Sequence, residues 1–196
     1  LLSFAGLNIQ FLVHPMNTNR PPYLIVAAAL IQRGDEVLLV EQQWPNAPAS
    51  TWSLPGGRVE TNETITEAMI REVREETGLI VVNPGRLLYT LHHQNPAKND
   101  YALIFAFEVA EWRGGVQIID PDNLILSAQF WPRPQAIEKL ENSPGSRGMR
   151  EPIVAHLRGQ AQPGAVWAFR RQADGNDELI TPSLAIVAKS NSQRPE

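Results

Sequence analysis

The chain has 196 residues, 43% of them hydrophobic, which is enough for one sizeable core and too few for two full domains. Its 17 Lys and Arg against 21 Asp and Glu give a formal net charge of -4, so there is no global basic field to draw in a nucleic-acid polymer, and an anionic partner must be met locally. The absence of cysteine excludes disulfides, thiolate zinc sites and cysteine nucleophiles, and fits a reducing, cytoplasmic setting.

The opening stretch, LLSFAGLNIQFLVHPM, is apolar but has neither the basic start nor the small-residue cleavage site of a secretory signal. Met16 and the polar run Asn17 to Pro22 read as a native start. The leader before it is then either upstream read-through or an ordinary N-terminal strand or helix. No apolar run reaches the roughly 20 residues needed to span a bilayer, so a soluble protein is expected.

Tyr23 to Gln32 and Glu36 to Gln42 are apolar, branched-rich runs around the short turn Arg33-Gly34-Asp35, and together they predict a β-hairpin. Trp44 to Ser50 holds two prolines and reads as a loop, and Trp52 to Leu54 as a short strand ending at Pro55-Gly56-Gly57. Thr64 to Thr77 is the strongest helix, its start marked by the capping-box spacing of Thr64 and Glu67. Beyond Gly78, Leu79 to Val82 and Leu87 to His92 read as strand, His93 to Asp100 as a polar loop, and Tyr101 to Val109 as a strong strand. Gly114 to Asn123 follows as a loop, Leu126 to Trp131 as a short strand, and Pro134 to Leu140 and Ser146 to Arg158 as helices. Ala165 to Arg171 and Glu178 to Val187, flanking Asp174-Gly175, suggest a hairpin, and Lys189 to Glu196 a frayed tail.

The chemistry is concentrated on the first helix. At about 100° per residue, Ile65, Ala68, Glu72, Glu75 and Glu76 share an arc of roughly 100°, so a stripe that begins apolar ends acidic. Glu67 stands four residues before Arg71, the spacing of a supporting ion pair. A solvated acidic face is the bland reading. Against it, carboxylates about 5 Å apart repel by roughly 3 kcal/mol per pair at an effective dielectric near 20. A hard divalent cation with oxygen ligands turns that repulsion into attraction, so the cluster is read as a metal site. Leu54-Pro55-Gly56-Gly57 just upstream is a tight turn whose glycines let main-chain atoms approach a ligand.

Gly57, five residues, Glu63, seven residues and then Arg71-Glu72-Val73-Arg74-Glu75-Glu76-Thr77-Gly78-Leu79 resemble the Nudix box at every specified position. The resemblance is sharp over Trp52 to Leu79 and general over about Tyr23 to Leu140. It implies an α/β fold, the Nudix-type α/β/α sandwich with a mixed β-sheet. The domain is placed at 23–158, with an N-terminal extension at 1–22 and a C-terminal extension at 159–196. By similarity, Glu72, Glu75, Glu76 and the Gly56 carbonyl bind magnesium, with manganese as an alternative. Arg71 holds the carboxylates, Glu63 supports Arg71, Gly78 ends the helix, and Glu72 is the first choice of general base. In some members a carboxylate on a later loop takes that last role. Here Ser127 stands where Glu often follows the leucine, leaving Asp120 or Asp122 as substitutes, though both also read as plain turn formers.

The implied reaction is magnesium-dependent cleavage of a diphosphate linkage in a small nucleotide-like substrate, by a soluble protein for which a homodimer is the assembly considered. Trp52 to Gly57 looks like the nucleotide-hydrolysing branches, whereas Pro96, 17 residues past Leu79, points to ADP-ribose enzymes. Trp44, Tyr89, His92 and His93 are candidates to stack on or hydrogen-bond a base, against a packing role for each. His156 and Trp167 are assigned to structure. A non-catalytic sensor module is the alternative, but such modules commonly lose box carboxylates and this box is complete. A prenyl diphosphate isomerase is disfavoured by the missing cysteine.

Overall fold

The computed structural model describes residues 23–45 and 47–181. The expectations for the leader before Met16, the strand beyond Thr181 and the tail from Lys189 lie outside the described residues. Strand β1 (Tyr23–Leu30) lies one strand in from the edge of the main sheet, with its second half, Ala27 to Leu30, buried. Its YLIVAAAL sequence does not alternate, as suits a strand buried on both faces. Parallel to it lies β8 (Asp100–Glu108), and on its other side antiparallel β5 (Gly56–Arg58). The sheet continues from β8 through antiparallel β7 (Arg86–Asn95), parallel β11 (Ala165–Arg171) and antiparallel β12 (Asp177–Thr181). These six strands form one mixed sheet in the order β12-β11-β7-β8-β1-β5.

A second sheet joins β2 (Gln32–Arg33), β3 (Glu36–Gln42), β4 (Thr51–Ser53) and β10 (Ile125–Pro132), and β6 (Ile80–Asn83) pairs with β9 (Glu111–Arg113) apart from both. Helix α1 (Ile65–Thr77) packs on one face of the main sheet, where Ala27, Ala29, Ile31 and Leu38 meet Ala68, Met69 and Val73. Helices α2 (Arg133–Asn142) and α3 (Arg147–Leu157) cover the other face, where Ala28, Leu30, Leu91 and Ile104 meet Leu140, Ile153, Trp167 and Phe169. Successive alanines of β1 thus face opposite cores. The arrangement is the expected α/β/α sandwich with a mixed sheet.

Three expectations need correction. The hairpin of Tyr23 to Gln32 with Glu36 to Gln42 forms only at its tip, where Gln32–Arg33 pairs with Val37 and Glu36; β1 itself belongs to the main sheet. Its backbone pairs with β8 on one edge and β5 on the other, while helices cover both of its faces, as in other strands that read as unbroken apolar runs. The polar loop expected at His93 to Asp100 is strand as far as Asn95, because Gln94 finds Tyr101 Oη at 3.2 Å and His93 finds Asp177 at 3.0 Å. Paired polar side chains are no bar to a strand. Glu111–Arg113, unassigned from sequence, is strand β9. The hairpin after Asp174-Gly175 does form, as β11 and β12, and it widens the main sheet.

Candidate functional site

Both ends of α1 are fixed by local chemistry. Thr64 Oγ1 accepts from the Glu67 N–H at 3.2 Å while Glu67 Oε2 accepts from the Thr64 N–H at 2.8 Å, completing the capping box. This commitment keeps Glu67 from the expected pairing with Arg71, which turns to other acids. At the far end Gly78, with φ of 72°, donates its N–H to the Arg74 carbonyl. A Cβ there would lie 2.4 Å from the Gln117 carbonyl oxygen. The loop before β10 is fastened to the end of α1, with the Gln117 N–H donating to Thr77 O and the Ile119 N–H to Glu75 O, each at 2.8 Å.

Arg71 is the hub of the acidic face. Its Nη2 and Nε grip Glu63 at 2.8 and 3.1 Å, its Nη1 reaches Glu72 at 2.8 Å and Glu75 at 3.1 Å, and Nη2 also donates to the Arg58 carbonyl at 2.9 Å. Hydrogen bonding to Arg71 lowers the Glu63 carboxyl, and the same bonds raise the guanidinium above its already high range. Glu72 is shifted the other way: burial raises its carboxyl more than Arg71 lowers it. Glu76 is 5% exposed, and burial pushes it up to about 8. The Gly56 N–H, 2.8 Å from its Oε2, opposes that shift, while the charges of Glu72, Asp120 and Glu75 add to it.

The glycine turn makes room for this. A Cβ on Gly57 would sit 2.4 Å from Glu72 Oε1, and one on Gly56, whose φ is 154°, would sit 2.3 Å from the Ala27 carbonyl oxygen. Only glycine brings the β5 backbone this close to both β1 and the carboxylates.

The acidic face opens on a cleft of about 750 Å³. At one end stand Glu72, Glu75, Glu76 and Asp120; the floor is Val26, Ala28, Leu91 and Ile104, and the far wall is Met149, Arg150 and Ile153 of α3. Trp44, 54% exposed, and buried Tyr89 both line it. His92 and His93 do not. The His92 ring stacks on Tyr101 with centroids 5.5 Å apart, and His93 is held by Asp177 and Ser146. Asp120 does both things its sequence allowed. It lines the cleft near Glu76, and it shapes its own turn by accepting from the N–H groups of Asp122, Leu124 and Ile125 at 3.0, 2.6 and 2.9 Å. His156 is half-buried and Trp167 fully buried.

The donor set suits a hard divalent cation, since it consists of carboxylate oxygens, two of them on groups that burial, with a smaller contribution from the neighbouring acids, pushes towards the neutral form. Among the described residues, no three His, Asp or Glu side chains are drawn around one point. Arg71 Nη1 instead stands between Glu72 and Glu75.

A NUDIX domain model matches residues 22–151, about two thirds of the chain and the whole of the acidic site. This chain belongs to the Nudix family. It is a Nudix hydrolase, and its relatives carry names of that kind. The CTP pyrophosphohydrolase of Escherichia coli is 28% identical over 130 residues, covering 66% of this chain and 90% of that protein. The 8-oxo-dGTP diphosphatase of Proteus vulgaris is 32% identical, covering 45% of this chain and 77% of that protein. The ADP-ribose pyrophosphatase of Methanocaldococcus jannaschii is 31% identical, covering 43% of this chain but 50% of that protein. Among solved structures, a Bacillus halodurans MutT protein superposes with a TM-score of 0.60 at 25% identity, covering 81% of this chain and 95% of that one.

The family match covers the Nudix box and, of the far wall, Met149 and Arg150 but not Ile153. Sequence reasoning missed Met149, Arg150 and Ile153 as cleft residues, because α3 reads as an ordinary packing helix and nothing local says which face meets a cleft.

Proposed function

We propose that this Nudix hydrolase uses a divalent cation, magnesium in the first instance and manganese as an alternative, to cleave the diphosphate linkage of a nucleoside diphosphate joined to another moiety. The observation that carries this reading is the mixed lining of one cleft, which joins the carboxylates Glu72, Glu75 and Glu76 and the glycine turn to apolar Val26, Ala28, Leu91 and Ile104 and to the aromatic rings of Trp44 and Tyr89. Such a shape suits a charged diphosphate continued by a flat, weakly polar base. The three relatives named above are all named for nucleotide substrates, which supports the same class.

In this reading Glu72, Glu75, Glu76 and the Gly56 carbonyl would hold the cation. When bound, the cation supplies charge neutralisation at the diphosphate and a more acidic attacking water. Arg71, anchored by Glu63, keeps Glu72 oriented through Oε1. Glu72 Oε2 then receives the proton of the water whose oxygen attacks phosphorus, while the bridging oxygen leaves with the other half of the substrate.

The substrate is a dissolved small molecule, read as met in the cytoplasm. A net charge of -4 gives no help to a nucleic-acid polymer, and no helix among the described residues is long and apolar enough to cross a membrane. The test is a panel of CTP, 8-oxo-dGTP and ADP-ribose with magnesium, read as phosphate released after phosphatase coupling. Turnover of at least one, abolished by chelation, is expected. No turnover of any, with magnesium or manganese, would overturn the proposal.

A further inference from the structure

The wall of the cleft opposite the acidic helix is held by a residue from the C-terminal hairpin. Ser146, at the N-cap position of α3, makes no capping bond of its own. Its hydroxyl is turned instead to the Asp177 carboxylate and to His93 Nε2. The capping acceptor comes from elsewhere in the chain: Asp177 Oδ2 takes the Gly148 N–H at 3.0 Å, at the second helical position, where an N-cap side chain ordinarily bonds. Asp177 Oδ1 meanwhile lies 3.0 Å from His93 Nε2 and forms an ion pair with Arg171 Nε at 3.0 Å. Its side chain is fully buried. Burial alone would raise this carboxyl, but the Gly148 amide, Ser146 and His93 outweigh it and hold it below the usual range.

The fit around this cap is tight. A Cβ on Gly148 would stand 3.0 Å from both His93 Cδ2 and Phe169 Cγ, so α3 lies directly against β7 and β11 at the point where Asp177 takes its amide. From there α3 presents Met149, Arg150 and Ile153 to the cleft. Arg150 carries the connection onward. Its Nη1 donates to the Ser143 carbonyl at 2.6 Å, and Ser143 Oγ accepts the Trp52 N–H at 2.6 Å, on the strand that leads into the glycine turn.

We propose that Asp177 is a positioning residue for the cleft: by capping α3 from the β12 strand, it sets the wall against which the half of the substrate remote from the metal end is held. This rests on the reaction proposed above for the acidic end. The substrate's reacting linkage never meets Asp177, so its loss weakens binding of the remote half and leaves the chemical step intact.

The experiment uses the full chain and two readouts. Hydrogen exchange, without substrate, should show the amides of residues 147–151 exchanging about tenfold faster in Asp177→Ala, with those of α1 unchanged. Kinetics on whichever of CTP, 8-oxo-dGTP or ADP-ribose the wild type cleaves should show KM raised about fivefold and kcat within about twofold. Asp177→Asn, which keeps an oxygen for the Gly148 N–H, should recover part of both, and exposed Glu178→Gln on the same strand should match the wild type. Should Asp177→Ala fail to fold, Gly148→Ala moves the same wall and should reproduce the KM rise. Unchanged exchange in α3 would overturn the cap, and a fall in kcat at constant KM would overturn the positioning role. A wild type that cleaves none of the three refutes the reaction instead, and the exchange result still decides the cap.

Discussion

Replacing Glu76 with Gln separates the cost of the acidic site from its use. Burial holds the Glu76 carboxyl at about 8 in the folded protein, against an ordinary 4.5. Below the ordinary value the group is protonated in both folded and unfolded chains, and the fold loses nothing. As the pH rises towards 8 the unfolded chain gives up its proton while the folded chain retains it, so stability falls across that window. From about pH 5 to about pH 8 the loss comes to roughly 3 kcal/mol. For a chain of this size that is roughly 6 to 12 °C in the melting midpoint. A glutamine there keeps an oxygen for the Gly56 N–H and carries no charge at any pH, so Glu76→Gln should lack this loss. Thermal melts of both proteins in chelator at pH 5 and pH 8, at matched ionic strength, make the comparison. The variant should be the more stable protein at pH 8 and yet be inactive with magnesium. Parallel pH profiles, or a variant less stable than wild type at pH 8 without metal, would refute the reasoning.

Arg71→Ala should unfold about 2 kcal/mol more readily and turn over more slowly, because it leaves Glu63 and Glu72, partly buried, without their shared cation; unchanged melting and rate would mean the hub is idle. Gly57→Ala should keep the fold, since Gly57 is not among the glycines with positive φ, but should cut turnover at least about tenfold by driving a methyl into the Glu72 carboxylate. A rate near that of the wild type would show that Glu72 has room to spare.

The acidic site was legible in sequence because its parts are local. Thr64, Glu67 and Gly78 mark the helix ends by spacing alone, and Arg71, Glu72, Glu75 and Glu76 follow one another on a single helix. The glycine turn was equally readable, though what it makes room for, the Glu72 carboxylate, appears only in three dimensions. Misreadings arose where a residue had two possible partners. Glu67 stands at the right distance for Arg71 but is used by the cap, and Arg71 is claimed by Glu63, eight residues away. Tyr23 to Leu30 was given one strand neighbour where its unbroken apolar run serves two. His93 read as a loop residue facing a ligand, because nothing near it in sequence announces Asp177, 84 residues further on. The far wall of the cleft was hidden for the same reason.

The claim on which the account rests is that the carboxylates of α1 hold a divalent cation in the folded state, and magnesium binding measured by calorimetry together with melting tests it most directly. At magnesium about ten times its dissociation constant, linkage requires a gain of about 1.4 kcal/mol, or roughly 3 °C in the melting midpoint, over sodium at matched ionic strength. Glu75→Gln should lose both the heat of binding and the shift. Equal melting curves in magnesium and sodium, with no binding heat in the wild type, would contradict the account and leave the carboxylates as an ion-pair cluster around Arg71.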